Sequence, residues 1–135
     1  MALKIILKPF ERMIFGGAVV TNGSTRCELL IETNIPILRE KDIMREEQAD
    51  SPLKRLYLVI QLMYVDEKNL VAYHSTYWQL VQEIVIAAPS FLELIDRTSE
   101  HILNGEYYQA LKLARKMIDY EQEVIKNALQ RTGNL

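Results

Sequence analysis

The feature that most constrains this chain is a change in hydrophobic period near residue 40. Upstream of it, apolar residues come in short runs rich in Val, Ile and Phe, over residues 3–7, 11–15, 18–21, 26–32 and 36–39. Such runs favour strands. Between them stand Gly16-Gly17 and Asn22-Gly23, dipeptides that supply the positive φ angles of tight hairpins. The fourth run is the clearest, because Cys27, Leu29 and Ile31 alternate with Arg26, Glu28 and Glu32, giving one buried and one wet face, with Leu30 out of pattern.

Downstream the apolar spacing becomes helical, about 3.6 residues, and Gly and Pro stand only at plausible helix ends. A short acidic helix is expected over 41–48. Asp50-Ser51-Pro52 then offers a cap followed by proline in the first turn, where its missing N–H costs nothing. The helix expected over 53–65 is apolar all round, which puts it at the centre of the fold. A helix over 70–88 carries a stripe of Tyr73, Tyr77, Leu80, Val81 and Ile84, and Pro89 ends it. Ser90 and Glu93 form a capping-box pattern for a helix over 91–104, with Gly105 as its C′ residue. The last helix, over 106–130, places Tyr107, Leu111, Ala114, Ile118 and Ile125 on one face, and a tail over 131–135 is expected to fray. The fold class is therefore α+β, a small N-terminal antiparallel β unit followed by a C-terminal bundle of four to five helices.

A length of 135 residues with 49% hydrophobic content supports one core and one domain. Within it the β subdomain spans 1–40 and the helical subdomain 41–130. Charged residues interrupt the N-terminal stretch too often for a signal peptide or a membrane span, so a cytoplasmic protein with no membrane contact is expected. One cysteine, Cys27, and two separated histidines, His74 and His101, provide neither a disulfide nor a metal-ligand cluster, and no cofactor is expected. Gly16-Gly17 is followed by no Lys-Ser/Thr pair or helix start, and no nucleophile elbow or His-based pairing stands out. The chain reads as a protein that binds rather than an enzyme.

Three features could carry binding. The net charge is -2, yet residues 1–45 hold seven Lys/Arg against five Asp/Glu, while the remainder hold nine against thirteen. Lys4, Lys8, Arg12, Arg26, Arg39, Lys41 and Arg45 could track phosphates if they share a face. Balanced by Glu11, Glu28, Glu32 and Glu40, they also describe an ordinary solvated surface, and the residues alone favour that second reading. Among the helical aromatics Trp78 lies beside the apolar stripe rather than on it, which suits either partner contact or packing. Lys112, Arg115 and Lys116 suggest helix-surface ion pairs such as Arg115 with Asp119.

The blocks LKPFERMIFGGAVV at 7–20, PILREKDIM at 36–44 and KRLYLVIQLMY at 54–64, in that order, resemble the FlbT family. The likeness covers nearly the whole chain and fades after about Ile125. It implies a post-transcriptional regulator that binds the 5′ untranslated leader of flagellin mRNA and represses translation or promotes decay, with activation in some members. Flagellin and FlaF are implied as further partners. Phe10 departs from the family pattern, which has glycine after the proline.

The opening of the chain also resembles the CsrA family of small β RNA-binding repressors. Lys8, Glu11 and Gly16 match its lysine, glutamate and glycine, and Leu38-Arg39-Glu40 resembles its last strand and RNA-contacting arginine. This likeness covers about the first 43 residues, and Leu7 stands where that family has arginine. It implies Arg39 as an RNA contact with Lys8 beside it, and it leaves a homodimer open. With Lys4 and Arg12 added from the basic residues of the β part, the expected RNA-binding set is Arg39, Lys8, Lys4 and Arg12, with Trp78 as a partner contact and no catalytic or metal-binding residue. The alternative is a chaperone-like module that holds flagellin or another flagellar partner and affects RNA only indirectly.

Overall fold

The computed structural model describes the backbone of residues 2–133 and the side chains of 2–131. Among the described residues five short strands precede four α-helices, as the change of period predicts. β1 (Leu3–Leu7) pairs antiparallel with β4 (Cys27–Ile31), Leu3 opposite Ile31 and Leu7 opposite Cys27. β2 (Arg12–Phe15) lies between β3 (Ala18–Thr21) and β5 (Ile37–Arg39), antiparallel to both.

β2 joins the two halves of the molecule because alternate side chains leave a strand on opposite faces. Met13 enters a small core with Ile5 and Leu7, whereas Ile14 enters the large helical core together with Leu38 of β5. Gly16 takes a φ of 59° in the two-residue β2–β3 loop, as a hairpin there requires.

Asn22-Gly23 does not make the hairpin that the dipeptide predicts, and neither residue has positive φ. β4 returns beside β1 because Ile5 and Leu7 need the apolar face of Cys27, Leu29 and Ile31 over them. The Asn22 side chain serves this crossing instead of a turn. Its Nδ2 donates to the carbonyls of Leu7 at 3.3 Å, Lys8 at 2.8 Å and Thr25 at 2.9 Å.

α1 (Pro52–Val65) starts as expected, with Ser51 Oγ accepting from the Lys54 N–H at 3.3 Å and Pro52 in the first turn. It is the central helix, burying Leu53, Leu56, Tyr57, Val59, Ile60 and Met63, and it packs against α2 (Leu70–Ala87) and α4 (Tyr107–Gly133). α3 (Leu92–Leu103) packs on α4. At its end Gly105 has a φ of 72°, the Glu106 N–H reaches the His101 carbonyl at 2.8 Å and the Gly105 N–H reaches the Ile102 carbonyl at 3.1 Å. These are the two bonds of a Schellman stop.

Three helical expectations are corrected. The short helix expected over 41–48 is replaced by two single 3-10 turns, Glu40–Asp42 and Glu46–Gln48. Met44 lies between them with its N–H donating to Gln61 Oε1 at 2.7 Å and its carbonyl accepting from Gln61 Nε2 at 3.0 Å, so neither group is available to a helix. The Ser90/Glu93 box is unused, because Pro89–Phe91 forms a 3-10 turn that buries Phe91 and α3 begins only at Leu92, without a side-chain cap. α4 continues through Gly133, beyond the expected end at 130. Residues 134–135 of the expected tail lie outside the described residues.

Gln61 and Thr98 are buried polar residues, and the Thr98 hydroxyl donates to the Leu94 carbonyl at 2.7 Å. Tyr77 is fully buried with its hydroxyl 2.8 Å from Ser99 Oγ, and burial raises its pKa to about 12. No helix among the described residues is long and apolar enough to cross a membrane.

Candidate functional site

The site grows out of the segment that leaves β5. Residues along one face of α1 hold the backbone of that segment. Tyr57 donates its hydroxyl to the Asp42 carbonyl, Gln61 pairs with both backbone groups of Met44, and Tyr64 accepts from the Ile37 N–H at 3.0 Å while donating to its carbonyl at 3.3 Å. Tyr57, Gln61 and Tyr64 are four and three residues apart, the spacing that places side chains on one face of a helix. The helix therefore acts as a polar edge against which an irregular segment is set, and its buried backbone groups find partners there.

A second set of bonds shapes the loop opposite. After β1 the chain turns through Lys8-Pro9-Phe10-Glu11, where the Glu11 N–H reaches the Lys8 carbonyl at 3.1 Å and the Lys8 N–H returns to Glu11 Oε1 at 2.9 Å. Phe10 has a φ of 62°, the sole positive value at a non-glycine position among the described residues. Proline second and a left-handed residue third make the type II arrangement, whose third position favours glycine.

Arg39, the last residue of β5, closes this loop onto the sheets. Its Nη2 donates to the Ile6 carbonyl at 2.9 Å and to the Glu11 carboxylate at 3.2 and 3.4 Å. The Lys8 N–H first, and then the Arg39 guanidinium, hold the Glu11 pKa below the usual value of 4.5 against some desolvation. All three arginine contacts use one amino group, and the side chain remains 41% exposed.

Around this scaffold lie three clefts that share the segment 38–43. A cleft of about 430 Å³ is lined by Lys8, Pro9, Phe10, Glu11, Arg39, Glu40 and Lys41. A neighbour of about 260 Å³ is lined by Arg12, Glu40, Ile43, Arg45 and Gln48. A third, of about 130 Å³, lies between Leu38, Asp42 and Tyr57 on one side and Tyr108, Leu111, Lys112 and Arg115 of α4 on the other. Together the three linings hold seven Lys/Arg and three carboxylates, although the chain as a whole is net acidic. Arg115, expected to pair with Asp119, instead lies over the Tyr57 ring at 4.6 Å, and Lys112 lies over the Tyr108 ring at 4.8 Å.

Of the four residues nominated for RNA, Arg39 and Lys8 share the Phe10 cleft and Arg12 lines its neighbour, the two clefts meeting at Glu40. Lys4 lies apart, paired with Glu28 at 3.4 Å across β1 and β4. Phe10 and Lys41, the latter one of the basic residues outside the expected RNA-binding set, line the same cleft as Arg39 and Lys8. The available signal for Phe10 was the misfit of a phenylalanine behind proline where a turn favours glycine. Trp78 sits on α2, 37% exposed, with its ring edge-on to Tyr77 at 4.9 Å and 82°. Val71 and Ile86 are exposed at helical spacing from it.

The histidines have structural partners, His74 Nε2 lying 3.3 Å from the Tyr107 hydroxyl and His101 Nδ1 lying 3.1 Å from Glu106 Oε1. Cys27 is half-buried against the small β core. Among the described residues no group of three or more His, Cys, Asp or Glu could hold a metal ion.

Comparison with known proteins gives a consistent result. The family model described as "Flagellar protein FlbT" matches residues 3–125. The probable flagellum biosynthesis repressor protein FlbT of Rhodopseudomonas palustris is 46% identical over 125 residues, covering 93% of this chain and 98% of that protein. The probable flagellum biosynthesis repressor protein FlbT 1 of Bradyrhizobium diazoefficiens is 49% identical over 125 residues, covering 92% and 85%. The flagellum biosynthesis repressor protein FlbT of Caulobacter vibrioides is 38% identical over 125 residues, covering 91% and 89%. No solved structure matches the chain. A family match across the sheets, α1 and the cleft-lining segment, with relatives at this identity over nearly the full chain, means that the protein belongs to the FlbT family.

Proposed function

We propose that this protein regulates flagellin synthesis in the cytoplasm by binding the 5′ untranslated leader of flagellin mRNA, repressing its translation or promoting its decay. The names of its relatives as flagellum biosynthesis repressors support the regulatory part of this reading. The observation that carries the RNA part is the convergence of three cation-bearing clefts on residues 38–43 of an otherwise acidic chain. Phosphates are attracted by such local excess regardless of overall charge. In this reading Lys8 and Lys41 contact phosphates in the Phe10 cleft, Arg12 and Arg45 extend the track, and Arg39 both shapes the cleft and offers its remaining amino groups. The protein acts by occupancy of the leader rather than by catalysis.

The test is binding of the purified protein to labelled flagellin leader RNA at two salt concentrations. Each phosphate contact to a single strand contributes about -0.7 to the slope of log affinity against log salt. The double variant Lys8→Ala/Lys41→Ala is expected to flatten that slope, Arg39→Ala to abolish most binding, and Trp78→Ala to leave it unchanged. No binding by folded wild-type protein at low salt overturns the reading.

The exposed surface of Trp78, Val71 and Ile86 on α2 favours a second reading, in which the helices hold flagellin or a flagellar partner such as FlaF. That reading expects capture of flagellin that survives high salt and fails in Trp78→Ala.

A further inference from the structure

Phe10 is held in a conformation that its own contacts do not repay. A φ of 62° is the left-handed region, where the Cβ of an L-residue crowds the neighbouring carbonyl. The phenyl ring is 68% exposed, so little apolar burial offsets the strain. The Phe10 N–H is bonded to the Gly23 carbonyl at 2.9 Å, which fixes the turn and therefore the direction in which the ring leaves it. Strain of this kind persists where the surrounding structure over-determines it, and it concentrates at binding sites.

The surroundings point to a ligand class. Phe10 and Pro9 present an apolar surface in a cleft whose other walls are Lys8, Arg39, Lys41, Glu11 and Glu40. Glu11 is engaged by the Lys8 N–H and by Arg39, which leaves Glu40 as the second carboxylate of the cleft. A flat π face beside cations and a hydrogen-bond acceptor matches an unpaired nucleotide: its base has a face that stacks on an aromatic ring, its phosphates attract lysine, and its amino group donates to a carboxylate.

We propose that Phe10 is the stacking platform for one unpaired base of a single-stranded RNA, with Lys8 and Lys41 on the flanking phosphates and Glu40 accepting from the base. This rests on the RNA reading above and narrows it to a nucleotide subsite in the cleft that Phe10 lines. It also assigns a use to the departure of Phe10 from the glycine that the turn favours.

The test uses the full chain with Phe10→Gly and Phe10→Leu, and flagellin leader RNAs carrying 2-aminopurine at one unpaired position at a time. Phe10→Gly removes the strain and should melt at a higher temperature than the wild type, so weaker binding by it cannot be loss of fold. The expected result is a roughly five- to a hundredfold loss of affinity in Phe10→Gly, the range for one stacked base. Phe10→Leu, which keeps apolar bulk without a π face, should fall in the same direction, and one 2-aminopurine position should be quenched by the wild type alone. Equal affinity of wild type and Phe10→Gly for the leader overturns the subsite and leaves the RNA reading standing. Absence of any leader binding by the wild type overturns both. Loss of flagellin capture with unchanged RNA affinity in Phe10→Gly also overturns it, since the ring would then serve a protein.

Discussion

The helical part and the β part of this molecule are held together in different ways. Leu56, Ile60 and Met63 of α1 are fully buried in a core to which all four helices contribute, and that core also takes in Ile14 and Leu38 from the strands. The β1–β4 pair shares a much smaller core, in which Cys27, Leu29 and Ile31 cover Ile5, Leu7 and Met13 and are themselves only half-buried, and it is fastened further by polar contacts of Asn22, Arg39 and Glu11. Apolar burial is non-directional and scales with area, so it gives the helices stability without dictating fine geometry. Hydrogen bonds give less net stability but set positions closely. A region that holds its shape by such bonds keeps charged and aromatic side chains at the surface, where a ligand can reach them.

The largest expected effect tests the helical side of that contrast. Ile60→Ala should cost about 3 kcal/mol, within the range for deleting a buried aliphatic side chain, measured as the loss of unfolding free energy in urea. If the β1–β4 pair is the weaker unit, its amides should exchange with solvent at lower opening free energy than those of α1, in the wild type already. Uniform protection across both regions would break the comparison.

Gln61→Leu comes next, because it leaves the buried N–H and carbonyl of Met44 without partners. A loss of about 2 kcal/mol is expected from the desolvation of those groups. If α1 positions the cleft-lining segment, the same variant should also weaken leader RNA binding while far-ultraviolet circular dichroism stays helical.

Glu11→Gln tests the polar fastening of the β part, at an expected cost of about 1 kcal/mol for a partly exposed charge-assisted contact. The pH dependence has a definite sign. Since the folded-state pKa of Glu11 lies below its usual value of 4.5, its contribution is complete above that pH and is lost as the pH falls through the folded value. Melting curves of wild type and Glu11→Gln should therefore differ at neutral pH and converge in acid. A constant difference down to low pH would assign the effect to packing. The smallest effect is a gain: Phe10→Gly should stabilise by about 1 kcal/mol, the cost of holding a Cβ in the left-handed region, read by thermal unfolding.

Several parts of the site could be read from the residues. Arg39 and Lys8, implied by a family likeness, and Arg12, one of the basic residues of the β part, line adjoining clefts. Lys4, another of those basic residues, pairs instead with Glu28, a partner set by the register of β1 against β4. The commitment of Arg39 to Glu11 was not readable, because the two are 28 residues apart and meet only through the crossing of the chain.

The change of period near residue 40 by itself determined the division into strands and helices, and local chemistry determined the Ser51 cap, the proline start of α1 and the glycine stop after α3. Each of these depends on residues within a turn or two of one another, so a short stretch of chain contains the whole cause. Tertiary structure alone decided that β4 returns to β1 rather than pairing with β3, and that residues 41–48 give up a helix. In both cases a contact distant in sequence prevailed: the apolar face of β1 needed cover, and Gln61, 17 residues away, took both backbone groups of Met44. Burial of apolar surface and of backbone polar groups is settled only when the whole chain is in place, and local propensity yields to it.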